Sequence, residues 1–430
     1  MILTRQKIIP VYLLRTMLFV AGLGLVACGK NQEVEVKKAA DSETIVESQK
    51  TLSAAEIAQN TIIIDTHVDV PYRLEEEFED ISHATDKGDF DYPRAVSGGL
   101  NAPFMSIYIP AELEEKGGSK TMADQLIDMV EQIIQQSPDK FSVGYSTTDI
   151  EVAFQQGLIA LPLGMENGSP LEGNLENLKH FYERGIRYIT LTHSKANHIS
   201  DSSYDENRPA GGLTEFGKQL IVEMNNLGVM VDVSHISDDA FYQVMAISQV
   251  PVIASHSSAR HFTPGFERNM SDEMIKLLAE KGGVIQLNFG STFISQISIE
   301  NNNAYKAAIA EFMAQHNLER DSEAVNEFAA KYRQQTPFQY ASLNDVLDHF
   351  DHVIKLVGVD HVGIGSDYDG VGDSLPEGLK DVSSYPMLIQ GFIDRGYNND
   401  DIAKILSGNI LRVWKQNEAF AAQQKVLAKK

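Results

Sequence analysis

Along the chain, short apolar runs alternate with longer stretches of helical periodicity. The apolar runs fall at 62–66, 103–109, 158–165, 187–193, 229–235, 251–256, 283–289 and 361–367. Runs such as IRYITLTH and GVMVDVSH are rich in successive apolar residues, as strands buried on both faces are, and lack the alternation of a half-exposed sheet. Between the runs, apolar residues recur at three- and four-residue intervals over 121–136, 174–184, 215–227, 238–247, 272–281 and 343–357. Several of these stretches stop at a glycine (Gly185, Gly228, Gly358), as helix C-termini prefer. Strands separated by helices predict parallel βαβ units. Eight such units predict an α/β fold of the (β/α)8, TIM-barrel type. A doubly wound open sheet is the alternative, but no glycine fingerprint follows an early strand. The segment 290–342, with helical patterns at 304–316 and 322–334, exceeds a simple crossover and predicts an excursion between strands seven and eight. Ser53 is a plausible N-cap for a first short helix ending at Asn60.

Composition narrows the function. The 430 residues carry 60 acidic and 36 basic side chains, a net charge of −24, which argues against a nucleic-acid partner. A single cysteine excludes an internal disulfide and a Cys-based zinc site, so any metal must be held by His, Asp and Glu. That cysteine has an address. Arg5, Lys7 and Arg15 precede an apolar run from Met17 to Ala27, then Cys28, the order of a secretory signal peptide. Leu25-Val26-Ala27-Cys28 resembles a bacterial lipobox, which implies cleavage before Cys28 and its lipidation. Acyl chains there would anchor the protein, and Gly29 in place of Asp points to the outer membrane, facing the periplasm or the exterior. A plain signal peptide or an uncleaved anchor, with Cys28 incidental, is the alternative. The expected organisation is a signal peptide at 1–27, a polar tether at 28–50, a (β/α)8 barrel at 51–420 and a tail at 421–430.

Six of the predicted strands end in residues able to bind metal or move protons: His67 and Asp69, Glu166, His193, His235, His256, and Asp367. In a parallel barrel, the carboxyl ends of all strands converge on one rim. His67 and Asp69, one residue apart, point to the same side of an extended chain. With His235, His256 and a bridging Glu166 they make a donor set for two divalent cations, and the imidazole content favours zinc. Any one of these residues alone would be a weak signal; five on one rim are not. His198 and His261 lie just past the rim as lining candidates. His349 and His352 read as a solvated helix face, His361 lies at the opposite barrel end, and His83, His180 and His316 have no strand-end context. No HExxH, GxSxG or P-loop is present.

The blocks IIDTHVDVPYR, GMENG, YITLTHS, GVMVDVSHIS, PVIASHSSAR, RNMSDE and HVGIGSDYDG, followed by LSGNILRVW near 414, resemble the membrane (renal) dipeptidase family. The resemblance implies a zinc dipeptidase with two Zn2+ ions bridged by Glu166 and a hydroxide: His67, Asp69 and Glu166 on one, Glu166, His235 and His256 on the other. It further implies that His193 polarises the substrate, Arg268 binds the substrate carboxylate, and Asp367 is the catalytic acid and base. Dipeptides, including those with a D-residue at the second position, are the implied substrates, and members often form homodimers. Two departures stand out: Asn167-Gly168 replaces a pair of glycines, and the spacing from His256 to Arg268 is slightly long, so that Arg268 could instead pair with Asp272 or Glu273. Rival readings are another binuclear-zinc hydrolase, acting on N-acyl amino acids or β-lactams, and a non-catalytic surface-binding lipoprotein.

Overall fold

A computed structural model of the chain describes residues 52–428; the expected signal peptide, Cys28 and the tether lie outside them. All eight apolar runs contribute to one parallel sheet, hydrogen-bonded in chain order: β1 (Ile64–Val68), β2 (Ala102–Tyr108), β3 (Leu163–Glu166), β4 (Ile186–Thr190), β5 (Met230–Asp232), β6 (Ile253–Ala254), β7 (Val284–Leu287) and β8 (Val362–Ile364). The sheet closes just past β8, where Val68 bridges Tyr368 in parallel and the Asp367 N–H donates to the His67 carbonyl at 3.1 Å. The result is the (β/α)8 barrel.

One predicted strand is divided. The run 158–165 contains Pro162, which has no N–H to give to a ladder. Ile159–Leu161 pairs with Phe141–Val143 in a separate two-stranded sheet, and β3 begins only at Leu163. The helices follow the periodicity closely, at Ser119–Gln136, Leu175–Glu183, Glu215–Leu227, Asp238–Ile247, Asp272–Glu280 and Leu343–Val357. Local chemistry starts them: Ser53, Asn174, Thr214, Ser237, Ser271 and Ser342 each accept a backbone N–H as N-caps. The excursion is a pair of helices, Gln296–His316 and Glu323–Gln335, joined by the stacked rings of Phe312 and Phe328, 4.2 Å apart.

The two ends of the barrel differ in composition. The lower end is filled by first-residue and inward side chains of the strands (Ile64, Ala102, Phe104, Tyr188, Met230, Ile253) together with Trp414. Trp414 is fully buried, with its ring 5.3 Å from Phe104. It comes from the last helix, Asn409–Leu427. The stretch expected to be a tail from 421 is therefore helical as far as Leu427. It stays ordered because Ala421 is buried against Gly228, where a Cβ would stand 3.1 Å from that of Ala421. Gly228 also has φ +85°, so glycine meets both a conformational and a steric demand there.

His349 corrects another expectation. It lies on the inner, not the solvated, face of the helix Leu343–Val357 and is fully buried. Its Nδ1 accepts the Ala259 N–H at 3.1 Å and its Nε2 lies 3.0 Å from the Ile294 carbonyl, so the ring ties the loops after β6 and β7 together. Four buried apolar neighbours on that helix, Val346, Leu347, Phe350 and Val353, hid a fifth, polar, core position. Among the described residues, no helix is long and apolar enough to cross a membrane.

Candidate metal and catalytic centre

The strand ends converge as the topology requires. His67, Glu166 and His256 offer ligand atoms within 4.8 Å of one another, as do His67, Asp69 and Asp367, and Glu166, His193 and His235. Glu166 links the first and third of these groups, as His67 links the first and second: Glu166 Oε2 stands 3.4 Å from His67 Nε2, and its Oε1 stands 3.1 Å from His235 Nε2 and 3.4 Å from His256 Nε2. Asp69 Oδ2 is 3.4 Å from His67 Nε2. All five side chains are buried.

Hydrogen bonds on the outer side of two rings fix which nitrogen faces inward. The Tyr188 hydroxyl donates to the Thr66 carbonyl at 2.9 Å, so at 2.8 Å it accepts from His67 Nδ1–H. Likewise Ser255 Oγ donates to Asp232 Oδ2 at 2.6 Å and accepts from His256 Nδ1–H at 2.7 Å. In the neutral rings both Nε2 atoms then carry bare lone pairs toward Glu166, the tautomer a metal ligand needs. His256 Nε2 also lies 2.8 Å from His235 Nε2, a nitrogen–nitrogen approach that a shared cation would relieve. His67 Nε2 has no hydrogen-bond partner. Three imidazoles and two carboxylates, with open positions, fit a pair of zinc-like divalent ions.

The electrostatics agree. Burial works against a charge on His67, but Tyr188 and the carboxylates of Asp69 and Glu166 outweigh it and raise its pKa well above the ordinary value. Burial, aided by Arg268, holds His235 well below the usual imidazole range; for His256 burial is joined by His67 and Arg268. Burial raises Glu166, yet the surrounding histidines, His67 and His193 first, bring it well below the carboxylate range.

The remaining candidates surround this centre. His193 Nε2 is 3.6 Å from Glu166 Oε1, its ring stands edge-on to Tyr108 at 4.8 Å, and burial lowers its pKa. Burial first, then the charge of Asp69, pushes the Asp367 carboxyl up to about 7. Asn288 Nδ2 donates to Asp367 Oδ2 at 2.6 Å. Asp367 and His235 both hold left-handed backbone, φ +66° and +69°, strain that gathers at functional sites. Arg268 pairs with neither Asp272 nor Glu273. Its Nη1 donates to Ser257 Oγ at 2.7 Å and its Nη2 to the His256 carbonyl at 2.8 Å, while Nε, buried, has no partner. Asn167 replaces a glycine in left-handed backbone, φ +75°. It is held by its amide, which donates to the Ile109 carbonyl at 2.9 Å, and Asn is among the few residues that tolerate this region.

His198 and His261 do not line the centre. His198 Nδ1 pairs with Glu114 at 2.8 Å, and His261 stacks on His352, which pairs with Asp272 at 2.8 Å. The residues not foreseen are the supporting ones: Tyr188, Ser255, Asp232 and Asn288. Asp232 ends β5, and Ser255 and Asn288 each lie one residue beyond β6 and β7, so only Tyr188, inside β4, carried no strand-end signal.

A cavity of about 1230 Å³ opens above, lined at its inner end by Asp69, Glu166, His193, His235 and Asp367. This barrel with its acid-and-imidazole rim has known counterparts. Residues 52–427 match the family described as membrane dipeptidase, peptidase family M19. The chain belongs to that family. It is 32% identical over 390 residues to an uncharacterized dipeptidase of Schizosaccharomyces pombe, covering 86% of this chain and 83% of that protein. It is 30% identical over 365 residues to Dipeptidase 3 of Mus musculus, covering 83% of this chain but 64% of the mouse protein. Among solved structures, the probable dipeptidase PvdM of Pseudomonas aeruginosa superposes with TM-score 0.73 at 27% identity, over 86% of this chain and 98% of that one. A metallopeptidase of Rhodobacter sphaeroides, solved with a phosphinate mimic of the dipeptide L-Ala-D-Ala, shares the fold at TM-score 0.68 and 23% identity, over 83% of this chain and 100% of that one. These are the relatives of a metallopeptidase of the dipeptidase class.

Proposed function

We propose that the protein is a zinc-dependent dipeptidase acting on unblocked dipeptides, those with a D-residue at the second position included. The observation that carries this reading is the inward Nε2 lone pairs of His67 and His256 meeting Asp69, His235 and a central Glu166 at the base of an open cavity. His67, Asp69 and Glu166 would hold one ion, and Glu166, His235 and His256 a second. Bound there, such ions acidify a water and polarise an amide carbonyl.

The other steps fall to the chain's own groups. A His193 ring N–H donates to the substrate carbonyl oxygen as negative charge builds on it. Asp367, oriented by Asn288, takes the proton of the attacking water and delivers it to the leaving amine. The unpartnered Nε of Arg268 receives the free carboxylate of a short substrate, which favours release of a single terminal residue. The ligand of the Rhodobacter protein is the guide for the D-configuration.

The test is hydrolysis of L-Ala–L-Ala and L-Ala–D-Ala by protein lacking residues 1–28, with and without a chelator, beside N-acetylated and β-lactam substrates. Chelator-sensitive cleavage of the free dipeptides is expected. Cleavage confined to blocked amines or β-lactams would replace this reading by the rival hydrolases, and a zinc-free, inactive protein by the binding lipoprotein. We further propose that a lipidated Cys28 tethers the barrel to the outer membrane.

A further inference from the structure

The cavity extends well beyond the reaction centre. Its volume of about 1230 Å³ exceeds the roughly 300–1,000 Å³ of ordinary small-molecule sites. The outer part is contributed by the 290–342 excursion and the segment following it: Phe293, Lys306, Arg333, Phe338 and Tyr340 line it. In a chain of net charge −24, two cations on this wall form no ion pair among the described residues; the acid on the same wall, Asp373, accepts instead from the Tyr340 hydroxyl at 2.8 Å. Arg333 Nη1 and Nη2 donate to the side-chain oxygens of Asn301 and Asn302 at 2.8 and 3.3 Å, and its guanidinium lies 3.9 Å from the Tyr305 ring centroid. These neutral partners hold the group in place without cancelling its charge. Lys306, on the same helix as Asn302, is exposed and has no ion-pair partner among the described residues. Lys195, also on the cavity wall, contrasts with both: Asp205 lies 3.4 Å from it.

On the dipeptidase reading, on which this step rests, the substrate's terminal carboxylate is accounted for by Arg268. A second pair of cations further out is then available to a second anion. We infer that Lys306 and Arg333 form a specificity subsite for an acidic side chain of the substrate, so that dipeptides carrying Glu are preferred over the same dipeptides carrying Gln. The amide matches the acid in size and hydrogen-bonding reach and differs in charge, so the comparison isolates what the two cations read. The aromatic wall of Phe293, Phe338 and Tyr340 accepts the methylene stem in either case.

The experiment measures kcat/KM of the zinc-loaded enzyme for Ala–Glu against Ala–Gln and for Glu–Ala against Gln–Ala, with both configurations at the second position. In one series Glu is expected to be preferred by about tenfold or more, the scale of one charge-assisted contact. Added salt should shrink the ratio, and K306Q/R333Q should bring it to about one. The single variant K306Q, at an exposed position, serves if the double variant misfolds, and should also lower the ratio. If Gln dipeptides are cleaved but both ratios stay near one, or if the variants keep the preference, the subsite is overturned while the dipeptidase reading stands. If no free dipeptide is cleaved, that reading falls and the subsite with it.

Discussion

Replacing His349 by Leu should change how stability responds to acid. The ring is fully buried between the Ala259 N–H and the Ile294 carbonyl, an arrangement that needs one bare nitrogen and one N–H, the neutral form. Burial lowers its pKa to about 4, with the nearby His352 and His261 working in the same direction and Asp345 against. An unfolded chain takes up this proton near the ordinary value of about 6.5. The folded pKa is therefore depressed, so the contribution is present at neutral pH and is lost as pH falls from about 6.5 toward 4. Linkage over that window gives about 2 kcal/mol of stability lost between pH 7 and 5 from this one group. In His349→Leu that loss should vanish, while neutral-pH stability falls by about 1–3 kcal/mol for each backbone group left unpaired. Urea unfolding of the metal-free proteins, followed through Trp414, the only tryptophan, reads both quantities. Equal acid sensitivity in wild type and variant would refute the argument, since every other titrating group is common to the two.

Asp367→Asn should lower kcat by about 10²–10⁴-fold, the usual worth of a positioned proton carrier, with zinc content by atomic absorption unchanged; near-normal turnover would remove Asp367 from that role. Tyr188→Phe takes away the acceptor that holds His67 Nδ1–H, and zinc affinity, read by competition with a chromophoric chelator, should weaken about 10–100-fold. Trp414→Ala should cost about 3–5 kcal/mol, seen as a lowered Tm in calorimetry, while the kcat of the surviving folded fraction stays close to wild type. Cys28→Ser should move the protein from the membrane to the soluble fraction of producing cells; unchanged membrane association in labelled fractions would refute lipid tethering.

Much of this was readable because the barrel makes its chemistry periodic. Each apolar run ends where the chain leaves the hydrophobic interior, so polar residues at positions such as Glu166, His235 and His256 mark the rim in the sequence itself. Boundaries failed where a single residue overrode the pattern: Pro162 broke an otherwise continuous apolar run, and Ala421 kept a polar-looking segment helical by packing on Gly228. The buried polar residues were the least legible. Tyr188 looks like an ordinary member of an apolar strand, and His349 looks like a surface histidine, because their hydrogen-bond partners lie far away in sequence. The reach of the cavity onto Lys306 and Arg333 was likewise invisible, since it depends on how a two-helix insertion folds back over the rim.

The plug at the lower mouth has a practical corollary. Apart from Tyr188, whose ring packs on Phe104 in the plug while its hydroxyl accepts from His67 Nδ1–H, the side chains around Trp414 do not touch the acid-and-imidazole ring at the upper mouth, so the enzyme keeps most of its cohesion and its reactivity in separate compartments. Directed evolution for heat tolerance could therefore work on one pole, with Tyr188 held fixed, and leave turnover at the other intact, an independence denied to proteins whose single core must serve both purposes.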